Sequence, residues 1–263
     1  MPYSTLLLEK EGAVARVVLN RPEKLNAINY QLLVEIGEVM TEINEMTDVR
    51  LVVIKGAGKA FSSGTDLQSL GDSGIDRTRP GFRYHLTRIQ GSYNRIEVLE
   101  KPVIAQIHGY ALGAAMELIL ACDFRITALD AKFSLPEVRY GLIPDLGGCQ
   151  RLVRVIGLPK AKELVMMGRT IDGAEAERIG LVHKAVKAAE LEGEVRRWID
   201  EFLQLPPLSV GLGKRAVDKG LDTDVMSALD FTTQIQGMLL NTEDFVEGVR
   251  AKLEKRAPRF KGK

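Results

Sequence analysis

The sequence predicts an α/β fold with βα crossovers and a helical C-terminal portion, on three observations. Apolar runs at 51–54 and 103–107 alternate with helices of 3.6-residue apolar period. Each run gives way to glycine-containing turns, as buried strands do. From position 191 onward every segment reads as helix.

Taken in order, residues 5–8 and 13–19 cluster apolar side chains about Gly12 and read as a hairpin. A polar loop over 20–29 ends on Asn29, placed as the N-cap of a helix whose core face is Leu32, Leu33, Ile36, Val39, Met40 and Ile43. Residues 51–54 form a buried strand closed by Gly56-Ala57-Gly58. Small side chains then surround Gly64, with Asp66 set to cap a short helical turn. Residues 68–80 carry almost no apolar period and read as a mobile surface loop. A helix over 82–99 leads to the central stretch: strand 103–107, a tight turn of small residues, and an apolar helix containing Glu117.

Short strands at 124–127 and 132–134 precede a Pro- and Gly-rich segment holding Glu137 and Asp145. Helices follow at 151–156, 161–167 and 174–179, punctuated by Gly157, Pro159, Gly168 and Gly180, then a strand at 181–185. The remaining helices break at Pro206-Pro207 and near Gly220. A boundary near Leu205 divides the chain into a core, 1–205, and a helical region, 206–263.

The totals exclude several classes. The 263 residues are 45% hydrophobic, enough to bury a sizeable core. Lys and Arg number 36 against 35 acids, so a net charge of +1 offers no global attraction to nucleic acid or a membrane surface. Cys122 and Cys149 form neither a disulfide framework nor a metal-ligand spacing and fit a reducing compartment, so a cytoplasmic location is expected. His85, His108 and His183 are too dispersed for a metal site. The glycines at 56 and 58 fail the dinucleotide pattern because Phe61 occupies its last glycine position.

Chemistry is concentrated in three carboxylates in apolar or glycine-rich context, Glu117, Glu137 and Asp145. A carboxylate among Ala, Met, Leu and Ile is costly to bury unless paired or protonated, so Glu117 calls for a reason. The helix N-terminus at Ala114 and the turn at Ser63 and Gly64 each offer a backbone N–H to one oxyanion. Nearby carboxylates would divide general-acid and general-base roles. The bland reading of each acid alone is capping or a core ion pair.

These residues carry a resemblance. Asn20-Arg21-Pro22 with Asn26-Ala27, then Phe61 through Leu67, His108 through Asp123, Pro136-Glu137, and Gly141-Leu142-Ile143-Pro144 with Gly147 through Leu152 resemble the crotonase family of enoyl-CoA hydratases and isomerases, over about residues 6–260. The resemblance implies a crotonase-like spiral of ββα turns, a C-terminal helical trimerisation region, and a homotrimer or dimer of trimers. It implies acyl-CoA thioester substrates, CoA being part of the substrate, with no cofactor and no metal. It places the oxyanion-hole amides at Ser63 and Ala114, where the family commonly has alanine and glycine, and the hydratase glutamates at Glu117 and Glu137.

CoA contacts are expected from Lys24, Ala27, Ser63, Gly64, Thr65, Asp66 and Ala114, and from Phe260 and Lys261 in a tail that in this family reaches a neighbouring subunit's CoA. Tyr84 and His85 are expected to shape the acyl pocket. Which glutamate serves as acid is left open. Asp145 stands where the family's isomerases, and some related hydrolases, place a reacting aspartate; its alternative role is to cap the helix that begins at Leu146. Hydratase is the leading expectation, isomerase the next, and a non-catalytic acyl-CoA-binding protein the third.

Overall fold

A computed structural model describes residues 3–72 and 81–263. Strands β1 (Leu6–Glu11) and β2 (Val14–Leu19) pair antiparallel around Gly12, as the hairpin pattern requires. Helix α1 (Tyr30–Glu45) follows, its N-cap Asn29 accepting the Leu32 N–H at 2.9 Å. Its core face is the six-residue apolar stripe named above, with Glu35 buried beside it. Glu35 is the N-terminal fastener: its two oxygens accept from the amides and hydroxyls of Ser4 and Thr5 and from Gln31.

Strand β3 (Leu51–Gly56) pairs parallel with β2, then α2 (Leu67–Asp72) and α3 (Gly81–Val98) cross to β4 (Val103–Ile107). Residues 68–72, expected in a loop, therefore lie in α2, since Asp66 accepts amides of its first turn; the rest of the expected loop, 73–80, lies outside the described residues. After β4 the chain does not make a single tight turn. It forms a three-residue strand, β5 (Tyr110–Leu112), before α4 (Ala114–Leu120). Pairing with β7 (Lys132–Ser134), 22 residues on at Tyr110↔Lys132, makes this strand, and that partner is invisible locally.

Strand β6 (Phe124–Ala128) joins β4, and α5 (Gly148–Met167) bends at Gly157, where the sequence placed its break. Strand β8 (Thr170–Asp172), unforeseen in the sequence, pairs antiparallel with β7, and Asp172 then caps α6 (Gly173–Arg178). Strand β9 is Lys184–Val186 rather than 181–185 because the Leu181 and Val182 amides turn back to Ala176 O and close α6. Two sheets result, in the orders β1-β2-β3-β4-β6-β9 and β5-β7-β8. Helix α7 (Leu191–Leu203) packs on β3, β4 and β6 of the larger sheet, while α1 packs against α3.

The last helices are α8 (Pro207–Asp222), α9 (Val225–Leu239) and α10 (Glu243–Leu253); the break expected near Gly220 falls at Thr223, and Asp224 caps α9. Helix α8 is docked on the core through Lys214, which donates to Asp123 Oδ2 at 2.9 Å and to Ile96 O. No helix among the described residues is long and apolar enough to cross a membrane.

Burial alone would raise the Glu35 pKa, yet the hydrogen bonds from Thr5, Ser4 and Gln31 outweigh it and bring it down to about 2. Its stabilisation is thus present above its ordinary value of 4.5 and lost as pH falls through 2. Glu35→Gln is expected to cost about 1–3 kcal/mol in urea unfolding at pH 7. At pH 2 the difference from the parent should shrink, and an equal loss at both pH values would contradict the assignment.

Candidate active site

The site is assembled where the turn 62–64 meets the entry to α4. Ser62 N–H donates to Tyr110 O, and Ser62 forms a bridge with Ala111, so this turn runs alongside β5. Gly64, at φ 91°, approaches so closely that a Cβ there would lie 2.3 Å from Leu112 O; only glycine fits. Gly113, at φ 50°, is the N-cap of α4, and a Cβ on it would come within 2.8 Å of Glu137 Oε1. Glu137 stands on the 3-10 turn Pro136–Tyr140 that follows β7, while Gly113 N–H donates to Ser134 O of β7. The short second sheet therefore sets Glu137 against the start of α4.

Glu117, one turn into α4, is 1% exposed. Its Oε1 accepts the amides of Leu146 and Gly148, both at 2.8 Å. These two donors explain how a carboxyl can reside in an apolar helix: they satisfy one oxygen of the group without bringing a countercharge. Burial nevertheless dominates and raises its pKa to about 8, with Glu137 and Asp145 adding like charge and the Gly148 and Leu146 amides opposing. Glu137 and Asp145 are raised as well, each first by desolvation, and Glu137 also by Asp145. The three acids thus form one electrostatic cluster that holds protons more tightly than free carboxyls do.

Two polar atoms in the cluster lack partners. Glu137 Oε2 is buried without a hydrogen bond. Ala114 N–H, the first amide of α4 and on a residue 2% exposed, finds no acceptor among the described residues. Leaving a buried donor and acceptor unpaired is costly; a ligand carbonyl oxygen would relieve the amide, and a water would donate to the carboxyl oxygen.

The two expected oxyanion donors differ. The Ser63 N–H is engaged by Leu25 O at 2.9 Å, and the Gly64 amide by Ser62 Oγ at 3.1 Å. Of the pair, the Ala114 amide is the one left open among the described residues. Asp145 also differs from its capping alternative: α5 begins at Gly148 with Gly147 as N-cap and no side-chain cap bond, so its carboxyl is left to the acid cluster.

The expected CoA residues fall into two groups. Lys24, Ala27, Ser63, Gly64, Thr65 and Asp66 come together, since Ile28 N–H donates to Gly64 O, Asp66 N–H to Ile28 O, and Lys24 reaches Gln68. Phe260 and Lys261 do not join them: Phe260 packs on Gly248 of α10, and Lys261 N–H donates to Asp244 at 2.6 Å. Tyr84 is exposed and His85 stacks on Tyr30.

Sequence reasoning missed the supports. Buried Asn26, at φ 55°, donates to Ala57 O and Ala60 O and accepts from Arg21 N–H, which fixes the loop beside Ser63. Arg21 pairs with Asp66 at 3.0 Å. Tyr93, fully buried on α3, donates to Ala114 O at 3.0 Å. Tyr93 falls inside the helix expected over 82–99, but no sequence pattern marks it as a hydrogen-bond donor to the start of α4.

A layered α/β chain in which two acids converge on an unpaired helix-terminal amide has the makings of an acid–base enzyme whose reaction builds negative charge on an oxygen. The chain belongs to the enoyl-CoA hydratase/isomerase family, whose model matches residues 9–263. It is 39% identical over 261 residues to a crotonyl-CoA hydratase of Syntrophomonas wolfei, covering 99% of both chains. A peroxisomal Δ(3,5)-Δ(2,4)-dienoyl-CoA isomerase of Arabidopsis thaliana is 34% identical, covering 98% of this chain and 97% of its own. The fold matches a crystal structure of enoyl-CoA hydratase from Bacillus anthracis with TM-score 0.92 and 35% identity, over 99% of this chain and all of that one.

A carboxyl whose folded pKa is raised favours the native state below its unfolded value and loses that contribution as pH rises through 8. Glu117→Gln keeps an acceptor for Leu146 and Gly148 while removing the ionisation. The variant should therefore gain melting temperature over the parent, by more at pH 9 than at pH 6; a gain independent of pH would count against a raised pKa.

Proposed function

We propose that this protein adds water across the 2,3 double bond of an enoyl-CoA thioester. The observation that carries the reading is the pair of unpartnered atoms, Ala114 N–H and Glu137 Oε2, set beside the buried Glu117. The thioester oxygen would take the Ala114 amide and displace Leu25 O from Ser63. A water held between the glutamates would give its hydroxyl to C3 and, through the carboxyls, a proton to C2. The addition is redox-neutral, so the step calls for no redox cofactor. The charge that gathers on the thioester oxygen is stabilised by about 3 kcal/mol for each well-placed donor in comparable sites.

Glu117 and Glu137 share the proton traffic, and their apparent pKa values belong to the pair. With Glu117 near 8, one carboxyl of the pair remains protonated at neutral pH, which suits one acid and one base. Lys24, Ala27, Thr65 and Asp66 are proposed to hold the CoA portion, beside the amides at Ser63 and Gly64. Glu137→Gln should lower kcat for crotonyl-CoA hydration by about 10²–10⁴-fold, followed as loss of the enoyl absorbance. Parent protein inactive on short, medium and aromatic enoyl-CoA thioesters would defeat the reading.

Asp145 favours isomerisation as the second reading, because its carboxyl is raised by desolvation, joins the acid cluster and caps nothing. Asp145→Asn separates the two: hydration should persist, and an unchanged double-bond shift in the same variant would remove Asp145 as a proton carrier.

The outer helices support assembly into a trimer or a dimer of trimers. Val217, Leu221, Val225, Met226, Leu229 and Met238 of α8 and α9 are all more than half exposed in the single chain. Residues 206–263 would then form the oligomerisation region, with Phe260 and Lys261 able to meet CoA only across subunits. Sedimentation equilibrium should return three or six chain masses; a monomer at micromolar concentration would contradict this. Two free cysteines fit a reducing cytoplasm.

A further inference from the structure

The buried acid is held by a turn that is itself held from outside. Leu146 N–H, which donates to Glu117 Oε1, belongs to the same peptide unit as Asp145 O, and that oxygen accepts from Gln90 Nε2 at 2.6 Å. One residue on, Leu146 O accepts from Arg151 Nη1 at 3.0 Å. Arg151 is in turn fixed to α3: Nη2 donates to Asn94 Oδ1 and to Glu97 Oε2, each at 2.7 Å, and Nε to Glu97 Oε2 at 3.2 Å. Its side chain is only 11% exposed. Both carbonyls around Leu146 are therefore gripped by side chains anchored on α3 and α5.

We propose that Arg151, together with Gln90, is a positioning residue that holds the 145–148 turn so that the Leu146 and Gly148 amides face Glu117. Without those donors the ionised form of Glu117 loses the hydrogen bonds that oppose its burial. The groups facing Glu117 are Glu137 from the 3-10 turn, Asp145 from the held turn, Tyr93 from α3 and Cys149 from α5. Glu137 and Asp145 join burial in favouring the neutral carboxyl, which leaves the two amides as its principal counterweight. The fork of Arg151 reaches three acceptors at once, a task that the single ammonium of lysine cannot perform.

This inference rests on the hydratase reading for its kinetic measurement alone. Arg151→Met keeps the bulk of the stem and removes the fork. We expect the Glu117 carboxyl titration, read by infrared difference spectroscopy with isotope-labelled glutamate and Glu117→Gln as the assignment control, to move up by about one pH unit. With crotonyl-CoA, kcat/KM should fall about tenfold through kcat, with KM little changed, and its pH limb should move in the same direction.

Arg151→Lys keeps the charge and should recover only part of each change. Full recovery by lysine would mean that charge alone matters, and a folded Arg151→Met protein with an unmoved titration would equally overturn the proposal. Should Arg151→Met fail to fold, Gln90→Leu decides in its place, an unmoved titration again counting against. If the parent hydrates no enoyl-CoA, the infrared titration still stands, so the two readings fail separately.

Discussion

Everything at the centre of this molecule depends on keeping one carboxyl inside an apolar helix. Glu117 is surrounded on its own element by Ala114, Ala115, Met116, Leu118, Ile119 and Leu120, all buried. A charge in that setting without partners would cost more than the net stability of most domains. The solution is two backbone amides at 2.8 Å, which stabilise the anion without a cation and leave the group close to neutrality in its proton affinity. A lysine or arginine in their place would have driven the pKa down and removed the acid from useful range.

That requirement explains much of the surrounding architecture. The donors come from a turn 29 to 31 residues downstream, so the chain must return to α4 after completing β6, β7 and the 3-10 turn. The small sheet β5-β7-β8 makes this return exact in register, because pairing Tyr110 with Lys132 fixes how far Glu137 lies from Gly113. A slip of one residue in so short a ladder would reverse which side chains face α4. Helix α3 then closes the arrangement from the far side, with Tyr93 on Ala114 O and Arg151 gripping Asn94 and Glu97.

The larger sheet and its helices were legible because their signals are local. The α1 stripe and its Asn29 cap, the β-branched runs at β3 and β4, and the Gly157 bend all lie within a single element. What escaped was made by distant partners. Tyr110 to Leu112 looks like a turn until β7 pairs with it, and Thr170 to Asp172 has no strand signature of its own. At the site, the residue types at 117, 137 and 145 drew attention as acids out of place, whereas the engagement of Ser63 N–H by Leu25 O depends on a left-handed backbone at Leu25 and Asn26 that no side-chain pattern announces.

That engagement bears on how the two amides would contribute to catalysis. At Ser63, a substrate carbonyl bound as proposed would replace another carbonyl, so the exchange in the ground state would be between neutral acceptors of similar strength and would add little to binding. As charge gathered on the thioester oxygen the incoming acceptor would become the stronger one, and the difference would be realised only in the transition state. At Ala114 the amide has no acceptor among the described residues, and the same carbonyl would relieve a buried donor at once, favouring ground-state binding as well as the enolate. One amide would therefore act mainly on affinity and the other mainly on rate. The division follows from which of them already has an acceptor, although both are backbone N–H groups of the same kind.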